Sequence, residues 1–356
     1  MIGLWIGKTA NANAWYHINP YAMARNSMLL HVVRYREAQR NIKDITYHLF
    51  PATGTILDII PFFIKGFIVL LRNKIDYVVT YNLVPWGAFA WVLAKIFRKP
   101  LVLGFIGNDF NYHLKQSLFR GILFYITKNT EIITVTGSNM VEYLTSKGVL
   151  PERIFIYPHC PPQQWLHNNS KEAKTYDLIT VCALNKGKRV QDIIDALAIL
   201  HHKKVKLSLC IVGDGPEETF LKKRVEEAGL QDFVHFAGYQ TNVSEYLRKA
   251  RIYVQASARE GLSLGLIEAM FMGLVPVTTN AGSEHDHIEN GVNGYFVTIG
   301  DPEDLASKIL VAQDEPNYQR IQQNMLKRRM LFSEEHAISV TEEIINRLEI
   351  KRIDYL

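Results

Sequence analysis

The chain of 356 residues is 48% hydrophobic and 21% charged, a balance that excludes disorder and, at one domain per ~150 residues, predicts two globular domains. Its net charge of +5 is unevenly held: residues 1–170 carry 17 Lys and Arg against 8 Asp and Glu, and the remainder carries 23 against 27. Three widely spaced cysteines, Cys160, Cys182 and Cys210, form neither a disulfide framework nor a metal-ligand cluster and point to a reducing, cytoplasmic setting.

The opening MIGLWIGK has no basic region ahead of its apolar residues, so no signal peptide is expected. Strand-like runs follow at Ile2–Ile6, Ile45–Phe50, Tyr77–Thr80, Leu101–Phe105, Ile132–Val135 and Ile154–Tyr157, with helical patterns at Met23–Gln39, Ala88–Phe97 and Asn139–Lys147 between them. The longest uncharged run, Tyr77 to Ala94, is divided by Asn82, Pro85 and Gly87 and reads as a buried strand, loop and helix rather than a membrane span. Two helix-like segments, Pro61–Lys74 and His113–Lys128, mix Phe, Leu and Ile with spaced Lys and Arg. They read either as amphipathic helices with a wet cationic face or as surfaces for an anionic membrane or lipid headgroup. No dense basic stripe or nucleic-acid motif is present, so no nucleic-acid partner is expected.

Prolines and polar residues from Pro158 to Thr175 read as a linker. The alternation then restarts: strands at Leu178–Cys182, Leu207–Val212, Val234–Phe236, Ile252–Gln255 and Val275–Thr278, and helices at Val190–His201, Glu217–Glu227 and Val243–Lys249. The expected fold is α/β, with two Rossmann-like domains, residues 1–165 and 166–337, facing a cleft, and ligands beyond the carboxyl ends of the strands.

The stretch EGLSLGLIEAMFMG, from Glu260 to Gly273, carries the chemistry. A turn after strand Ile252–Gln255 feeds a helix near Ser263, so the amides of Gly261, Leu262, Ser263 and Leu264 form an anion site suited to phosphate. Glu268 is the one ionisable residue between Gly261 and Ser283, and at ~1.5 Å rise per residue it lies roughly 7 Å deeper along the helix. A lone carboxylate in so apolar a run needs a partner. Glu260 stays in front, and the two carboxylates bracket the anion site, where the hydroxyl groups of a sugar and a ribose flanking a diphosphate would satisfy them. A glutamate capping a neighbouring backbone is the alternative.

Two glutamates separated by seven residues, together with LCIVGDGPEETFLKKRVEEAGLQDFVHFAGY (Leu209–Tyr239), AMFMGLVPVTTNAGSEHDHIENGVNGYFV (Ala269–Val297) and GDPEDLASKI (Gly300–Ile309), resemble the family 4 retaining glycosyltransferases of the GT-B fold. The resemblance implies a nucleotide-sugar donor, with Glu260 on hydroxyls of the donor sugar, Glu268 on the ribose, and the amides of Leu262 to Leu264 on the leaving diphosphate. It places Lys188 on the family's phosphate-binding lysine. The arginine position falls on Ala183, with Lys186 or Arg189 as candidates to replace it. Gly213 and Gly215 resemble the family's turn near the donor, and Tyr239 to Asn242 is a candidate contact for the base. His285, Asp286 and His287 fall in a family loop rather than a zinc site, and no Asp-x-Asp pair occurs, so no cofactor and no metal are expected.

In the first domain the family's Gly-Gly pair is replaced by a segment with Gly7 and Lys8 alone near the end of the first strand. Asp109, in GFIGNDFNYH, resembles a cleft aspartate and is the candidate for orienting or deprotonating the acceptor hydroxyl, with a turn or helix cap as the alternative. Ser138 resembles a cleft serine and reads equally as a helix cap. A C-terminal helix at about 338–356 is expected to cross back onto the first domain. The sequence thus points to a cytoplasmic glycosyltransferase, peripheral on the inner face of the cell membrane. It would move a sugar to an anionic glycan or lipid-linked acceptor in cell-surface polysaccharide assembly. A catalytically silent donor-binding subunit and a GT-B epimerase are the alternatives.

Overall fold

A computed structural model of the chain describes all residues except 8–14, 35–43, 51–57, 106–113, 115–117, 168–173 and 354–356. The chain divides into two compact units, Met1–Cys160 with Glu334–Leu356, and Pro161–Ser333.

The first unit holds seven parallel strands: β1 (Ile2–Ile6), β2 (Leu29–Arg34), β3 (Ile45–Leu49), β4 (Tyr77–Tyr81), β5 (Leu101–Gly104), β6 (Ile132–Val135) and β7 (Ile154–Ile156), in the order β3-β2-β1-β4-β5-β6-β7. The inner strands are apolar on both faces because helices cover both sides of a parallel sheet. That rule corrects one expectation. Within the segment read as the helix Met23–Gln39, the described residues LLHVVR form β2 and pair in parallel with β1 and β3. Leu30, Val32 and Val33 are buried, and β-branched pairs on a pleated surface favour the strand over a helical stripe. The helix lies earlier, at Trp15–Met23.

The second unit holds β8 (Tyr176–Val181), β9 (Leu209–Val212), β10 (Val234–Gly238), β11 (Ala250–Gln255), β12 (Val275–Thr279) and β13 (Tyr295–Val297), ordered β10-β9-β8-β11-β12-β13. The edge strand β13 escaped the sequence reading because it is three residues long. One face of this sheet packs on Ile193, Leu197, Leu200 and Ile309, and the other on Leu266, Met270 and Phe271.

The first division falls at Cys160 rather than after residue 165, because Trp165 and Leu166 pack into the second unit's core and Arg248 donates from Nη2 to the Trp165 carbonyl (3.0 Å). The chain returns at Glu334, where helix Glu334–Ile353 packs on the first unit. Ile344, Ile345 and Leu348 enter a core with Tyr21 and Tyr77, the Tyr157 and Thr341 hydroxyls are 3.0 Å apart, and Asn19 donates to Glu334.

In each unit the strand order reverses once, between β1 and β4 and between β8 and β11. Loops leaving the carboxyl ends of such a pair diverge and open a ligand crevice.

Candidate functional site

Four loops meet at the carboxyl end of the second sheet, around the β8/β11 reversal. The loop after β8 is joined to that after β9: Leu184 N–H donates to the Asp214 carbonyl (2.7 Å) and Glu217 N–H to that of Leu184 (3.0 Å). It is joined to the loop after β11 by Ala258 N–H donating to the Gly187 carbonyl (2.9 Å). The loop after β11 is joined to that after β12 by Glu260 N–H to the Ala281 carbonyl (3.1 Å) and Ser283 N–H to that of Gly261 (3.2 Å). Two glycines allow this closeness. Gly213 adopts φ 133°, and a Cβ there would fall 1.9 Å from the Cys182 carbonyl oxygen; one on Gly282 would fall 2.7 Å from that of Glu260.

Within this frame the Lys188 ammonium lies 2.5 Å from the Glu260 carboxylate, with the side chains 22% and 9% exposed. A charge pair this enclosed holds each partner in place, and removing one strands the other. Lys188 closes a short helical turn, Lys186–Lys188, capped by the Asn185 side chain, which accepts from Gly187 N–H (3.0 Å). Of the candidates for the missing phosphate cation, Arg189 is committed elsewhere: its Nε and Nη2 bond both oxygens of Asp192, at 2.7 and 3.1 Å. Lys186 is exposed on the same turn, and Ala183 is exposed earlier in the loop.

Helix Leu264–Phe271 starts where the sequence indicates. Ser263 is its N-cap, accepting the Leu266 N–H on Oγ (3.4 Å), while Ile267 N–H is the first to reach an intrahelical carbonyl, that of Ser263 (3.1 Å). The amides of Leu264 and Gly265 therefore lack intrahelical acceptors and present the positive end of the helix beside Glu260 and Lys188. Glu268 lies on this helix, half-buried. Gly213 is held against the loop after β8, and its N–H reaches the Gly238 carbonyl (2.8 Å), next to Tyr239, which is 65% exposed.

The fully buried carboxylate of this region is Glu284, not Glu268. Glu284 accepts Gly282 N–H on Oε2 (2.6 Å) and Gln255 Nε2–H on Oε1 (3.4 Å). Burial pushes its carboxyl up to about 7, against the lesser pull of those hydrogen bonds. Its one sequence signal was position: it is the first ionisable residue after the uncharged run that follows Glu268. Beside it, His285 Nδ1 is 3.2 Å from Asn280 Oδ1, and burial lowers His287 to about 4. Among the described residues no three His, Cys, Asp or Glu side chains are placed to share an ion.

In the first unit, Asp109 and Lys8 lie outside the described residues. Ser138 is the first residue of helix Ser138–Ser146. Helices Ile59–Arg72, Ala88–Ile96 and Arg120–Lys128 leave Ile60, Ile64, Leu71, Ile96 and Ile122 exposed, interspersed with exposed Arg72, Arg98, Arg120 and Lys128. Among the described residues no helix is long and apolar enough to cross a membrane.

Residues 163–328, almost the whole second unit, match the family model of glycosyl transferases group 1. The match spans the second unit from β8 to β13. Among curated relatives, N-acetyl-alpha-D-glucosaminyl L-malate synthase of Bacillus anthracis is 24% identical over 258 residues, covering 68% of this chain and 67% of that protein. The putative glycosyltransferase EpsD of Bacillus subtilis is 27% identical over 198 residues, covering 55% of this chain and 52%, about half, of that one. The solved structure of Anabaena Alr3699/HepE in complex with UDP-glucose superposes with a TM-score of 0.77 at 17% identity, over 97% of this chain and 99% of that one. That likeness extends beyond residues 163–328 to both units and shows the GT-B fold of two Rossmann-like domains.

Proposed function

We propose that the chain is a nucleotide-sugar-dependent glycosyltransferase of the retaining, family 4 kind. The observation that carries this reading is the Lys188–Glu260 pair set against the free amides at the start of helix Leu264–Phe271, at the carboxyl end of β8 and β11. A cation and oriented N–H groups suit a diphosphate, whose negative charge grows as it departs. When the donor enters, Lys188 exchanges Glu260 for a phosphate oxygen, and Glu260 is released to accept from sugar hydroxyls. Glu268, deeper on the helix, takes the ribose, and Tyr239 and its neighbours border the base.

Transfer breaks the bond from the sugar C1 to the diphosphate oxygen and forms one from C1 to the acceptor oxygen on the same face; the acceptor proton goes to the departing phosphate. The transition state is oxocarbenium-like, and Lys188 with the helix amides neutralises the leaving group without a metal ion. Donors bearing UDP are the first to test, because UDP-glucose occupies Alr3699/HepE. The acceptor is an anionic glycan or lipid-linked sugar. It would be met at an anionic membrane surface, on which the exposed Ile60, Ile64, Leu71 and Ile122 and the adjoining Arg and Lys would rest. Asp109 is the candidate for orienting its hydroxyl.

A second reading, a donor-binding subunit without turnover, is favoured by Ala183 at the arginine position and by the commitment of Arg189 to Asp192. Incubating the chain with UDP-glucose or UDP-N-acetylglucosamine, chelator and a bacterial lipid extract separates the two. Donor consumption with an α-linked product from the α-donor supports the transferase; inversion or a metal requirement contradicts the proposed mechanism, and tight binding with no turnover favours the subunit.

A further inference from the structure

Beneath the donor site runs a chain of buried polar groups, Tyr253, Gln255 and Glu284. The Tyr253 hydroxyl is within hydrogen-bonding reach of Ser263, the cap of helix Leu264–Phe271. A Cβ on Gly265, in the first turn of that helix, would fall 2.9 Å from the same hydroxyl. Tyr253 donates to Gln255 Oε1 (3.3 Å), Gln255 Nε2 donates to Glu284 Oε1 (3.4 Å), and Glu284 Oε2 accepts Gly282 N–H (2.6 Å). Gly282 in turn sits under the Glu260 and Gly261 carbonyls, and its neighbours Ala281 and Ser283 bond the backbone of those two residues. Tyr253, Gln255 and Glu284 are each at most 4% exposed. The chain therefore begins at the helix amides and ends at the loop carrying Glu260.

We propose that Glu284 is a positioning residue of the donor site: through Gly282 on one side, and Gln255 and Tyr253 on the other, it fixes the spacing between Glu260 and the amides that receive the diphosphate. The inference deepens the donor-site reading and rests on it. A buried carboxylate is a costly way to hold a turn, and an apolar side chain of similar volume would fill the space at less expense in desolvation. Glu284 can accept on both oxygens at once and so tie β11 to the loop after β12, which an apolar residue cannot. A carboxamide retains an oxygen acceptor for Gly282 N–H; alanine does not.

The test uses the full chain, with calorimetric titration by UDP and hydrogen exchange of segments 260–265 and 281–284, on wild type, Glu284→Ala, Glu284→Gln and Tyr253→Phe. In Glu284→Ala the expected result is an affinity for UDP at least tenfold lower, with faster exchange in both segments and unchanged protection in helix Val190–His202. Glu284→Gln recovers the affinity to within about threefold, and Tyr253→Phe loosens segment 260–265 more than 281–284. Glu284→Ala binding UDP as wild type does, or Glu284→Gln binding as weakly as Glu284→Ala, overturns the proposal. Should Glu284→Ala fail to fold, Tyr253→Phe decides by the same two readouts. A wild type that binds none of UDP, GDP and ADP overturns the donor-site reading and this proposal with it, a failure set apart by being visible before any variant is made.

Discussion

The two units share one fold plan and differ in how their buried polar groups are gathered. Below the carboxyl end of the second sheet lie a charge pair, Lys188–Glu260, and a buried carboxylate, Glu284, laced to four loops. The first unit buries an aromatic cluster: the His17 ring is tilted against Tyr81 at 4.2 Å between centroids and lies 5.3 Å from His159, with Tyr21, Tyr77 and Tyr157 around them, while its buried charges, Arg34, Asp58 and Glu131, are dispersed along the chain. Burial holds His17 down to about 3, so it is uncharged at neutral pH, and raises the tyrosines. The outer surfaces differ as well, since the first unit's helices show apolar and cationic residues together, whereas helix Glu218–Glu227 of the second shows matched pairs such as Glu218–Lys222 and Lys223–Glu227. The second unit gathers a charge pair and the unpaired amides of a helix start at one sheet end; the first leaves apolar and cationic side chains exposed on its helices.

The sharpest way to break this contrast is to remove the charge that the second unit positions. Glu260→Ala takes away the proposed sugar-side acceptor and leaves Lys188 enclosed without its partner. Transfer should fall by about 10²–10³-fold, or ~3–4 kcal/mol in the transition state, measured as kcat/KM for the best donor. An effect under tenfold would place the chemistry elsewhere.

The buried titratable groups give the next largest effect, with opposite signs for Glu284 and for the buried histidines His17 and His287. Glu284 is raised from 4.5 to about 7, so the folded state binds more protons than the unfolded across that window. Stability therefore falls as pH rises from about 4.5 to 7, by on the order of 3 kcal/mol in total. His17 is depressed from 6.5 to about 3, so its contribution is present above 6.5 and lost as pH falls toward 3. Denaturant melts across pH 4.5–7 should show a declining component in wild type that is absent in Glu284→Gln, and an acid-side loss that persists in that variant. Identical slopes in both proteins would mean that Glu284 titrates as an ordinary surface carboxyl.

The smallest effect concerns the surface. Replacing exposed Arg98 and Arg120 by Glu should weaken sedimentation with phosphatidylglycerol vesicles by about 1 kcal/mol per removed cation at low salt, and leave UDP binding untouched. Equal binding to neutral and anionic vesicles would remove the membrane from the account.

Legibility from sequence followed the same divide. In the second unit the site rests on backbone geometry encoded by small residues and spacing, so the helix start near Ser263 and the strands read at Leu207–Val212 and Val275–Thr278 fall within two residues of the observed Leu264–Phe271, Leu209–Val212 and Val275–Thr279. The Lys188–Glu260 pair could not be read this way, because the two are 72 residues apart and meet only when β8 and β11 become neighbours. Glu284 was passed over for a similar reason: its burial comes from the loops that fold over it, and its local sequence, SEHDH, is polar. In the first unit the helix assigned to Met23–Gln39 failed where an apolar run buried on both faces carries no period of two. Asp109 was proposed from a motif alone and lies outside the described residues.

The central claim is that the reversal between β8 and β11 binds a nucleoside diphosphate through Lys188, Glu268 and the helix amides. The most direct measurement is calorimetric titration of wild type, Lys188→Ala and Glu268→Ala with UDP, GDP and ADP in the presence of chelator. One nucleotide should bind wild type tightly, and each substitution should weaken it by about 1–3 kcal/mol, roughly 5- to 150-fold. Binding of none, or binding indifferent to both substitutions, would contradict the account.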